Sequence, residues 1–411
     1  MRYDFHIIIV GGGMVGACAA ALAAVDPHLA DLRIAVLEAN PPASPPQGDI
    51  DLRVSAVSRA SQRILAAAGA WSLVPQQSLS PYEDMVVWDA AGKPRGAGAI
   101  HFSASATSEP NLGHIVENRR LQWALYDSPP FRQRITLLRA ELAGMTLEHD
   151  RAVISLGDGR TLGAALVVGS DGAASLSRKL AGIETAGWNY DQRAFVTHVR
   201  TEHAHARTAW QRFLTDGPIA FLPLADGRSS IVWTTRPAHA EHLAACSPEE
   251  ASQEIEQALD GALGKVEIAA ERAHFPLRLT HARQYCKERF ALVGDAAHSI
   301  HPLAGQGVNL GFLDCAALVQ VLAQEIENGG NVEALAELRV LRRYERWRKS
   351  ENLIALGLVD GLNRLFSNPD GTLGWIRRTG LGAVDGSALA KRFFMGRAMG
   401  TAGELPKVAT S

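Results

Sequence analysis

The chain has 411 residues, 47% of them hydrophobic, and a formal net charge of −2 at pH 7. This length allows two or three domains and a large buried core. The near-neutral charge lacks the basic field of a nucleic-acid-binding protein, and no zinc-finger or base-stacking pattern occurs, so we expect no nucleic-acid partner. These properties are typical of a soluble globular protein.

The four cysteines, Cys18, Cys246, Cys286 and Cys315, are isolated from one another along the chain. Because no C-x-x-C spacing occurs, we expect neither a metal ion nor a redox dithiol. The apolar stretch 5–25 is interrupted by four glycines and lacks a strongly basic region before it, so we assign it to the core rather than to a signal peptide. No other run reaches the roughly 18 to 20 apolar residues that span a bilayer. We expect a cytoplasmic protein whose contact with the inner membrane, if it has one, is peripheral.

The N-terminal segment predicts a βαβ unit. Residues 5–10 form a continuous apolar run, which is typical of a strand covered on both faces in a parallel sheet. An Ala-rich helix is predicted over 14–24, and 33–37 is the next predicted strand. The glycine-rich segment between the first strand and the helix is the candidate loop of a dinucleotide site.

Three glycines in this loop follow the pattern G-x-G-x-x-G. Gly11 permits the tight turn, Gly13 lets the backbone approach a pyrophosphate, and Gly16 lets the helix pack closely on the strand. Glu38 ends the second strand, 22 residues after Gly16, where an acidic side chain accepts a hydrogen bond from a ribose hydroxyl. Together these features predict dinucleotide binding, and a glycine-rich turn that serves only tight packing is the alternative.

The next segments supply two further candidates. A proline-rich surface excursion over 40–50 leads to Arg53, which could reach a pyrophosphate or form a surface ion pair. A helix is predicted over 58–68. Asn118 opens a predicted helix over 119–126, and its side chain either caps that helix, which we favour, or touches the cofactor.

The middle of the chain changes from one sheet type to another. An Asp-Gly turn predicts a hairpin, whose second strand over 161–168 runs into Gly169-Ser170-Asp171-Gly172. Asp171 alone would be only a turn residue after a buried strand, and its significance comes from the other motifs. From about 195 to 274 the strands alternate or carry aromatic residues, which predicts an inserted antiparallel sheet.

A second glycine cluster lies in the C-terminal half. A buried strand predicted over 290–293 delivers Gly294 and Asp295, and a glycine-rich loop then precedes a long apolar helix predicted over 308–327. Amides at the start of that helix suit the negative charge of a reduced flavin. Two such loops far apart in the chain imply one long ligand held at both ends, which we predict to be FAD.

Two features near the second cluster have simpler interpretations. We expect His298 and His301 to pack beside the loop rather than to bind a metal, since no third ligand is suggested. The helical patterns over 339–411 carry many arginines and lysines, which is typical of solvated helix faces. The same charge could also face anionic lipid headgroups or partner enzymes.

These motifs resemble those of the class A flavoprotein monooxygenases with the p-hydroxybenzoate hydroxylase fold, and more narrowly the ubiquinone-biosynthesis hydroxylases of the UbiH/Coq6 family. The resemblance covers nearly the whole chain, and its last motif is the most specific. The residues that carry it are Ile9 to Gly16, Val116-Glu117-Asn118-Arg119, Gly169-Ser170-Asp171-Gly172, Gly294-Asp295-Ala296-Ala297-His298, and His301 to Gly311 with Asp314.

The resemblance implies an α/β fold with an α+β insert. A Rossmann-like FAD-binding domain with a parallel sheet is interleaved with an antiparallel-sheet substrate domain, and helices follow at the C-terminal end. The expected bounds are 1–75, 100–180 and 280–338 for the FAD-binding domain, 76–99 and 181–279 for the substrate domain, and 339–411 for the helical region.

The resemblance also implies the site residues. Pro302, Gly305 and Gln306 form the expected catalytic element beside the isoalloxazine ring, and no metal ligand is expected. The expected cofactor-binding residues are Gly11, Gly13, Gly16, Glu38, Arg53, Asn118, Asp171, Asp295, Gly305, Gly307, Val308 and Asn309.

The activity implied by the resemblance is aromatic hydroxylation with NAD(P)H and O2 through a C4a-hydroperoxyflavin. NAD(P)H is expected as a transient co-substrate, since no second dinucleotide domain is evident. The implied substrate is a polyprenyl phenol or benzoquinol in ubiquinone biosynthesis. Three alternatives stay open: hydroxylation of a small soluble aromatic acid, a non-catalytic flavin-binding component of a biosynthetic complex, and an NAD-dependent dehydrogenase. A complex with other ubiquinone-biosynthesis enzymes and a homo-oligomer are both compatible with the sequence.

Overall fold

The computed structural model describes residues 3–96, 99–299, 307–366 and 387–410. Two large sheets, a small sheet and a set of helices make up this part of the chain. The strands are β1 (Phe5–Val10), β2 (Ile34–Leu37), β3 (Val54–Ser58), β4 (Ser80–Tyr82), β5 (Asp84–Asp89), β6 (Ala99–Ser103), β7 (Gly113–Glu117), β8 (Ile135–Leu138), β9 (Leu142–Leu147), β10 (Ala152–Leu156), β11 (Thr161–Gly169), β12 (Thr185–Thr201), β13 (Thr208–Leu214), β14 (Gly217–Pro223), β15 (Ser229–Thr235), β16 (Val266–Ile268), β17 (Ala273–Ala282), β18 (Cys286–Lys287), β19 (Phe290–Leu292) and β20 (His298–Ser299). The helices are α1 (Met14–Val25), α2 (Arg59–Ala67), α3 (Asn118–Asp127), α4 (Pro129–Arg134), α5 (Leu176–Leu180), α6 (Pro237–Ala245), α7 (Pro248–Ala258), α8 (Gly307–Glu327), α9 (Val332–Leu335), α10 (Leu338–Phe366), α11 (Ala388–Ala398) and α12 (Lys407–Thr410).

The first large sheet has the strand order β18-β19-β11-β1-β2-β8 and is parallel from β19 to β8. Strand β1 lies between β11 and β2, with Ile8 opposite Val167 on one side and Ala35 on the other. Its four residues from Ile7 to Val10 are all buried, as expected for a strand covered on both faces. The predicted βαβ unit is therefore present, and the predicted hairpin extends the sheet through β10 and β9.

The second large sheet is the predicted insert. It has the order β20-β17-β12-β15-β14-β13-β5-β6, with β16 beside β12, and only the β5–β13 pairing among these is parallel. The structure adds two strands that the expected bounds gave to the FAD-binding domain: Ala99–Ser103 pairs with β5, and His298–Ser299 pairs with β17. The apolar pattern of a short strand does not reveal which strand it pairs with. The expected domain boundaries at 100 and 280 therefore assign residues of these two strands to the FAD-binding domain.

A small sheet connects the two large ones. Its order is β3-β7-β4, with all pairings antiparallel. Ala56 of β3 and Ile115 of β7 belong to a buried cluster that receives Ala220 and Val232 from the second sheet. One face of the second sheet thus packs against the small sheet, while α6 and α7 cover its other face through a separate apolar cluster.

Helix α8 is the central helix of the core. It is long and apolar enough by length and composition alone to cross a membrane, yet 72% of its apolar window is buried inside the fold. It packs between α1 and α10 and contacts α2. This position explains an apolar composition that a solvent-facing helix would not need.

Helix α10 is attached to α8 through a buried ion pair. Arg348 is 1% exposed and its Nε donates to Asp314 Oδ1 at 2.9 Å. Asn352 Nδ2 donates to the same oxygen at 3.0 Å, and His298 Nε2 lies 2.6 Å from Oδ2. Burial raises the pKa of Asp314, but the charges and hydrogen bonds of His298 and Arg348 outweigh it and hold the pKa below its ordinary value. The expectation that the basic run forms only a solvated face is therefore wrong at Arg348.

We predict that Arg348→Met lowers the free energy of unfolding by about 3–5 kcal/mol at neutral pH, because Asp314 loses a buried partner. Asp314 has a depressed folded-state pKa, so its stabilisation is present above the unfolded carboxyl pKa and is lost as the pH falls through the folded value. Urea unfolding at pH 7 and at successively lower pH should show the difference from the parent protein shrinking with acid.

Arg346→Met is the matched control, since Arg346 is exposed two residues earlier in α10. Its effect should stay within about 0.5 kcal/mol. Equal small effects from both substitutions would contradict the structural role assigned to Arg348.

Candidate functional site

Three parallel strands bring the separate motifs to one edge of the first sheet. Strands β1, β11 and β19 are neighbours in the order β19-β11-β1. Beyond the strand ends, Ser170 N donates to Val10 O at 2.8 Å and Val293 N donates to Gly169 O at 3.0 Å. Gly11, Ser170 and Gly294 therefore leave the sheet side by side at its carboxyl edge, which is where open α/β sheets bind ligands.

The two glycine clusters are in direct contact through Val15 of α1. A Cβ atom at Gly294 would lie 3.0 Å from Val15 Cγ1, and one at Gly311 would lie 2.7 Å from Val15 Cγ2. Gly294 also has a φ of +60°, which L side chains rarely adopt. Cys315 Sγ donates to Val15 O at 3.1 Å. The N-terminal helix can approach α8 this closely because those two positions carry no side chain.

The N-terminal turn forms a cradle that suits a pyrophosphate. Gly11 has a φ of +95°, and a Cβ at Gly16 would lie 1.9 Å from Gly11 O, so both glycines are required by the turn itself. A Cβ at Gly13, in contrast, would meet nothing within 4 Å, and Gly13 caps α1 without a side-chain hydrogen bond. The first amides of α1 thus have open space above them, where an anion would satisfy them.

Glu38 stands beside this cradle as predicted. Its Oε2 accepts from Gly12 N at 2.7 Å and its Oε1 accepts from Asn40 N at 2.9 Å. Each carboxylate oxygen has a further lone pair, so Glu38 can also accept from a ribose hydroxyl.

Two residues that sequence reasoning missed fix the turn from α3. Gln122 Nε2 donates to Gly12 O at 3.0 Å, and Tyr126 Oη donates to the same oxygen at 2.9 Å. Burial raises the pKa of Tyr126, so its hydroxyl stays protonated and remains a donor. Neither residue is part of a recognisable motif, because each acts across more than one hundred residues of sequence.

Asp295 and Arg53 lie close enough for their charges to interact. The Asp295 residue is exposed, but the protein atoms packed around its carboxyl group remove solvent from it and raise its pKa, while the charges of His298 and Arg53 act to lower it. Arg53 is exposed and forms no side-chain ion pair among the described residues, which disfavours the surface-ion-pair alternative. A cation and a carboxylate that interact in this way suit a ligand that carries both phosphates and hydroxyl groups.

Asn118 holds Arg53 and the start of β3, which follows it. The helix α3 begins at Asn118 itself and its N-cap is Glu117, so the favoured capping role of Asn118 is wrong. The Asn118 backbone N–H donates instead to Arg53 O at 2.9 Å, and its Oδ1 accepts from Ser55 Oγ at 2.7 Å. Its cofactor contact remains a prediction.

The carboxylate of Asp171 is engaged in local hydrogen bonds. Its Oδ1 accepts from Ser177 Oγ at 2.7 Å and its Oδ2 accepts from Ser177 N at 2.9 Å, which orders the start of α5. Arg178 of that helix is buried and donates from Nη1 to Ala296 O at 2.6 Å. The Asp171 segment is thereby fastened to the Gly294–Ala296 segment, whereas a direct contact of Asp171 with the cofactor stays a prediction.

Asn309 clamps the start of α8 to β3. Its Oδ1 accepts from Ser58 N at 3.0 Å, and its Nδ2 donates to Ala56 O at 2.8 Å. Gly307 and Val308 begin α8, and the amides of its first turn lack partners within the helix.

The three expected catalytic residues and His301 lie outside the described part of the chain. These are His301, Pro302, Gly305 and Gln306, within 300–306. His298, which precedes that loop, packs against Asp314 in the core as expected for a structural histidine.

Comparisons with known proteins agree with the ligand predicted from the two clusters. A family profile described as an FAD binding domain matches residues 140–349. The 3-demethoxyubiquinol 3-hydroxylase of Escherichia coli (strain K12) is 37% identical over 397 residues, which cover 96% of this chain and 98% of that protein. The ubiquinone hydroxylase UbiL of Rhodospirillum rubrum is 38% identical over 401 residues, which cover 96% of this chain and 89% of that protein. The cofactor is therefore FAD.

The same fold is found in a solved structure. The p-nitrophenol 4-monooxygenase PnpA from Pseudomonas putida DLL-E4 superimposes with a TM-score of 0.76 at 18% sequence identity. The match covers 98% of this chain and 100% of that chain, so both sheets and their connections are shared.

The two kinds of glycine in the N-terminal turn should respond differently to alanine. Gly13→Ala should fold normally, because the added Cβ meets no atom and the φ of −61° suits alanine, yet it should weaken FAD binding roughly tenfold by obstructing the pyrophosphate. Gly16→Ala should destabilise the fold by at least about 1–3 kcal/mol, because its Cβ overlaps Gly11 O.

Thermal unfolding of both apoproteins and fluorescence titration with FAD would separate the two effects. Unimpaired FAD binding by a folded Gly13→Ala protein would show that no phosphate approaches this amide.

Proposed function

We propose that this chain hydroxylates the ring of a polyprenyl phenol or benzoquinol. The chain belongs to the family of FAD-dependent monooxygenases that contains the ubiquinone-biosynthesis hydroxylases. NAD(P)H and O2 are the co-substrates typical of this class. The names of the two bacterial relatives, a 3-demethoxyubiquinol 3-hydroxylase and a ubiquinone hydroxylase, support this choice of substrate.

The observation that carries the proposal is a row of side chains across the second sheet, three of them apolar and the fourth an amide. Gln211, Ala220, Val232 and Val196 lie opposite one another in register on β13, β14, β15 and β12. Ala220, Val232 and Val196 are only half-buried although their strands are central, so the sheet surface has open space above it. This face packs at one end against Ala56, the residue whose carbonyl Asn309 holds. An aromatic ring placed on this row would therefore lie beside the start of α8.

Polar atoms without partners border this row. Gln211 Oε1, Ser230 Oγ and both ring nitrogens of His198 are buried and have no hydrogen-bond partner among the described residues. Burial and the charge of Arg228 lower the pKa of His198 to about 4, so its ring is neutral at pH 7 and can both donate and accept. Leaving such groups unpaired costs about 1–3 kcal/mol each, which the hydroxyl and carbonyl oxygens of a phenol or quinol would recover.

The protein residues have three tasks around the ring. Bound FAD supplies the redox and oxygen-activating chemistry. The amides of the first turn of α8 can stabilise negative charge that lies at the N-terminus of this helix. The apolar row and the cluster around Ala56 exclude water, and the polar groups beside the row orient the ring.

A polyprenyl tail requires an apolar path away from the ring. Leu222 and Leu224 on the same sheet face pack in one buried cluster with Met395 and Met399 of α11. Methionine side chains are flexible and adapt to apolar ligands of varied shape. We place the tail between this part of the sheet and α11.

A small soluble aromatic acid is the second candidate, and the charges near the row disfavour it. An aromatic carboxylate would need a cation, but Arg228, which acts on His198, already donates to Asp49 and to Asp226. A neutral quinol makes no such demand.

The substrate class is tested by assaying FAD-loaded protein with a short-chain polyprenyl benzoquinol and with a soluble hydroxybenzoate, measuring product and NAD(P)H consumed together. We expect stoichiometric hydroxylation of the prenylated compound alone. Coupled turnover of the hydroxybenzoate would favour the second candidate, and absence of NAD(P)H oxidation with every phenol would favour a non-catalytic flavoprotein.

Gln211→Met should raise the KM for the quinol about 3- to 10-fold, the loss expected for one neutral hydrogen bond. FAD content should not change, and stability should be equal or higher because a buried unpaired oxygen is removed. Gln257→Met, an exposed position on α7 on the other side of the sheet, is the control. A KM that is unchanged in Gln211→Met would remove Gln211 from the ring site.

We also propose peripheral contact with an anionic membrane surface. Leu353 and Ile354 of α10 and Phe393 of α11 are exposed apolar side chains, and the Glu351–Arg397 ion pair joins the two helices about one turn away. Arg392 adds positive charge beside Phe393. Exposed apolar side chains flanked by basic residues are suited to the headgroup region of a bilayer.

Phe393→Glu should reduce flotation with anionic liposomes at low salt, since it places charge where the apolar contact is proposed. Leu73→Glu, at an exposed apolar position far along the chain, should float like the parent protein. Absence of flotation by the parent protein would reject membrane contact without affecting the substrate proposal.

A further inference from the structure

Helices α6 and α7 form a tight hairpin on the outer face of the second sheet. The connection is only Cys246 and Ser247, and the Ser247 side chain caps α7 by accepting from Glu250 N at 3.1 Å. His242 and Cys246 are four residues apart, as are Glu250 and Glu254. This spacing places each pair on one side of its helix, and the hairpin turns the two pairs toward each other.

The side-chain atoms of these residues converge. One ligand atom from each of His242, Cys246 and Glu250 lies within 4.8 Å of the other two. His242 Nε2 is 3.6 Å from Glu250 Oε1 and 2.9 Å from Glu254 Oε1. In a tetrahedral zinc site with bonds of about 2.0–2.3 Å, neighbouring ligand atoms are roughly 3.3–3.8 Å apart. Small side-chain movements would therefore bring the atoms of His242, Cys246 and Glu250 to a common centre, and Glu254, which already contacts His242, could supply a fourth ligand from beside it.

Surrounding contacts orient the carboxylate of this cluster. Glu254 Oε2 lies 2.8 Å from His239 Nε2, and His239 Nδ1 is in turn 2.8 Å from Thr235 Oγ1. Chains of hydrogen bonds behind a ligand are what fixes ligand orientation in metal sites.

The thiol of the cluster lies beside a cation. Arg272 Nη1 donates to Leu243 O at 2.9 Å and lies 3.8 Å from Cys246 Sγ, which itself contacts Leu243 O at 3.8 Å. One thiolate and two carboxylates carry three negative charges, which balance Zn²⁺ together with the Arg272 cation.

We propose that the α6–α7 hairpin binds one Zn²⁺ through His242 Nε2, Cys246 Sγ and the carboxylates of Glu250 and Glu254. Mixed thiolate, imidazole and carboxylate ligands select zinc over magnesium or calcium. Four protein ligands leave no position for substrate, so the site is structural and fastens the hairpin behind the sheet. The expectation of no metal rested on C-x-x-C spacing, and it overlooked an H-x-x-x-C pair that faces an E-x-x-x-E pair.

The test measures zinc in FAD-loaded protein after equilibration at buffered micromolar free Zn²⁺ and removal of loose metal. We expect about one zinc per chain in the parent protein and at least a tenfold loss of affinity in Cys246→Ser and in Glu250→Gln. Glu249→Gln removes the same charge from the neighbouring, exposed position and should bind zinc like the parent. Substitution with Co²⁺ should give a thiolate-to-metal charge-transfer band that Cys246→Ser abolishes.

FAD content and NAD(P)H oxidation, measured on the same samples, should be unchanged in all three variants, so this test is independent of the substrate assay. Failure of the parent protein to retain zinc would overturn the proposal. Equal zinc binding by the parent and by folded Cys246→Ser, or no cobalt band, would equally show that the cluster is only a set of surface ion pairs.

Discussion

The site depends on one packing constraint, the close contact of Val15 with two positions that have no side chain. Helix α1 can lie against α8 because Gly294 and Gly311 present only backbone to Val15. The parallel pairing of β19, β11 and β1 sets the direction from which the segments arrive. Any larger residue at either glycine would separate the N-terminal turn from the start of α8. The distance between the two ends of the cofactor site is thus set by the core, and flexible loops contribute little to it.

The buried carboxylate of Asp314 also holds Gly294 and the start of the segment that follows it against α8. Its carboxylate accepts from Gly294 N at 3.2 Å, pairs with His298 and receives Arg348 from α10. A buried carboxylate is tolerated only when its hydrogen bonds are nearly all made. The segment that carries Asp295 therefore has little freedom to move relative to α8. Arg178, which donates to Ala296 O, adds a third attachment to this segment.

Much of this arrangement could be predicted from local sequence. A continuous apolar run followed by spaced glycines predicted the bounds of β1 and α1 to within one residue. Glu38 lies directly after the second strand, as its spacing from Gly16 predicted. These features can be predicted because each residue contacts backbone atoms of the same βαβ unit, so the relevant pattern lies within a short stretch of sequence. The adjacency of the two glycine clusters followed from the single-ligand argument, which required both to reach one molecule.

The parts that could not be predicted act across long stretches of chain. Gln122 and Tyr126 stabilise the Gly12 carbonyl from α3, and no local pattern marks a helix residue for that task. Arg348 looks like its neighbours in a basic run, and only the packing of α10 on α8 shows that it is buried. The expected domain boundary at 100 cuts through β6, because no motif in this strand indicates that it pairs with β5.

The central claim is that one FAD molecule is held by both glycine clusters. Calorimetric titration of the apoprotein with FAD and with ADP tests it most directly, using Asp295→Ala. ADP contains only the part of the ligand assigned to the N-terminal turn, so its affinity should match that of the parent protein. The affinity for FAD should fall at least roughly tenfold, since the substitution would remove the contact that we predict between Asp295 and the rest of the molecule. An unchanged affinity for FAD, or an equal loss for both ligands, would contradict the account.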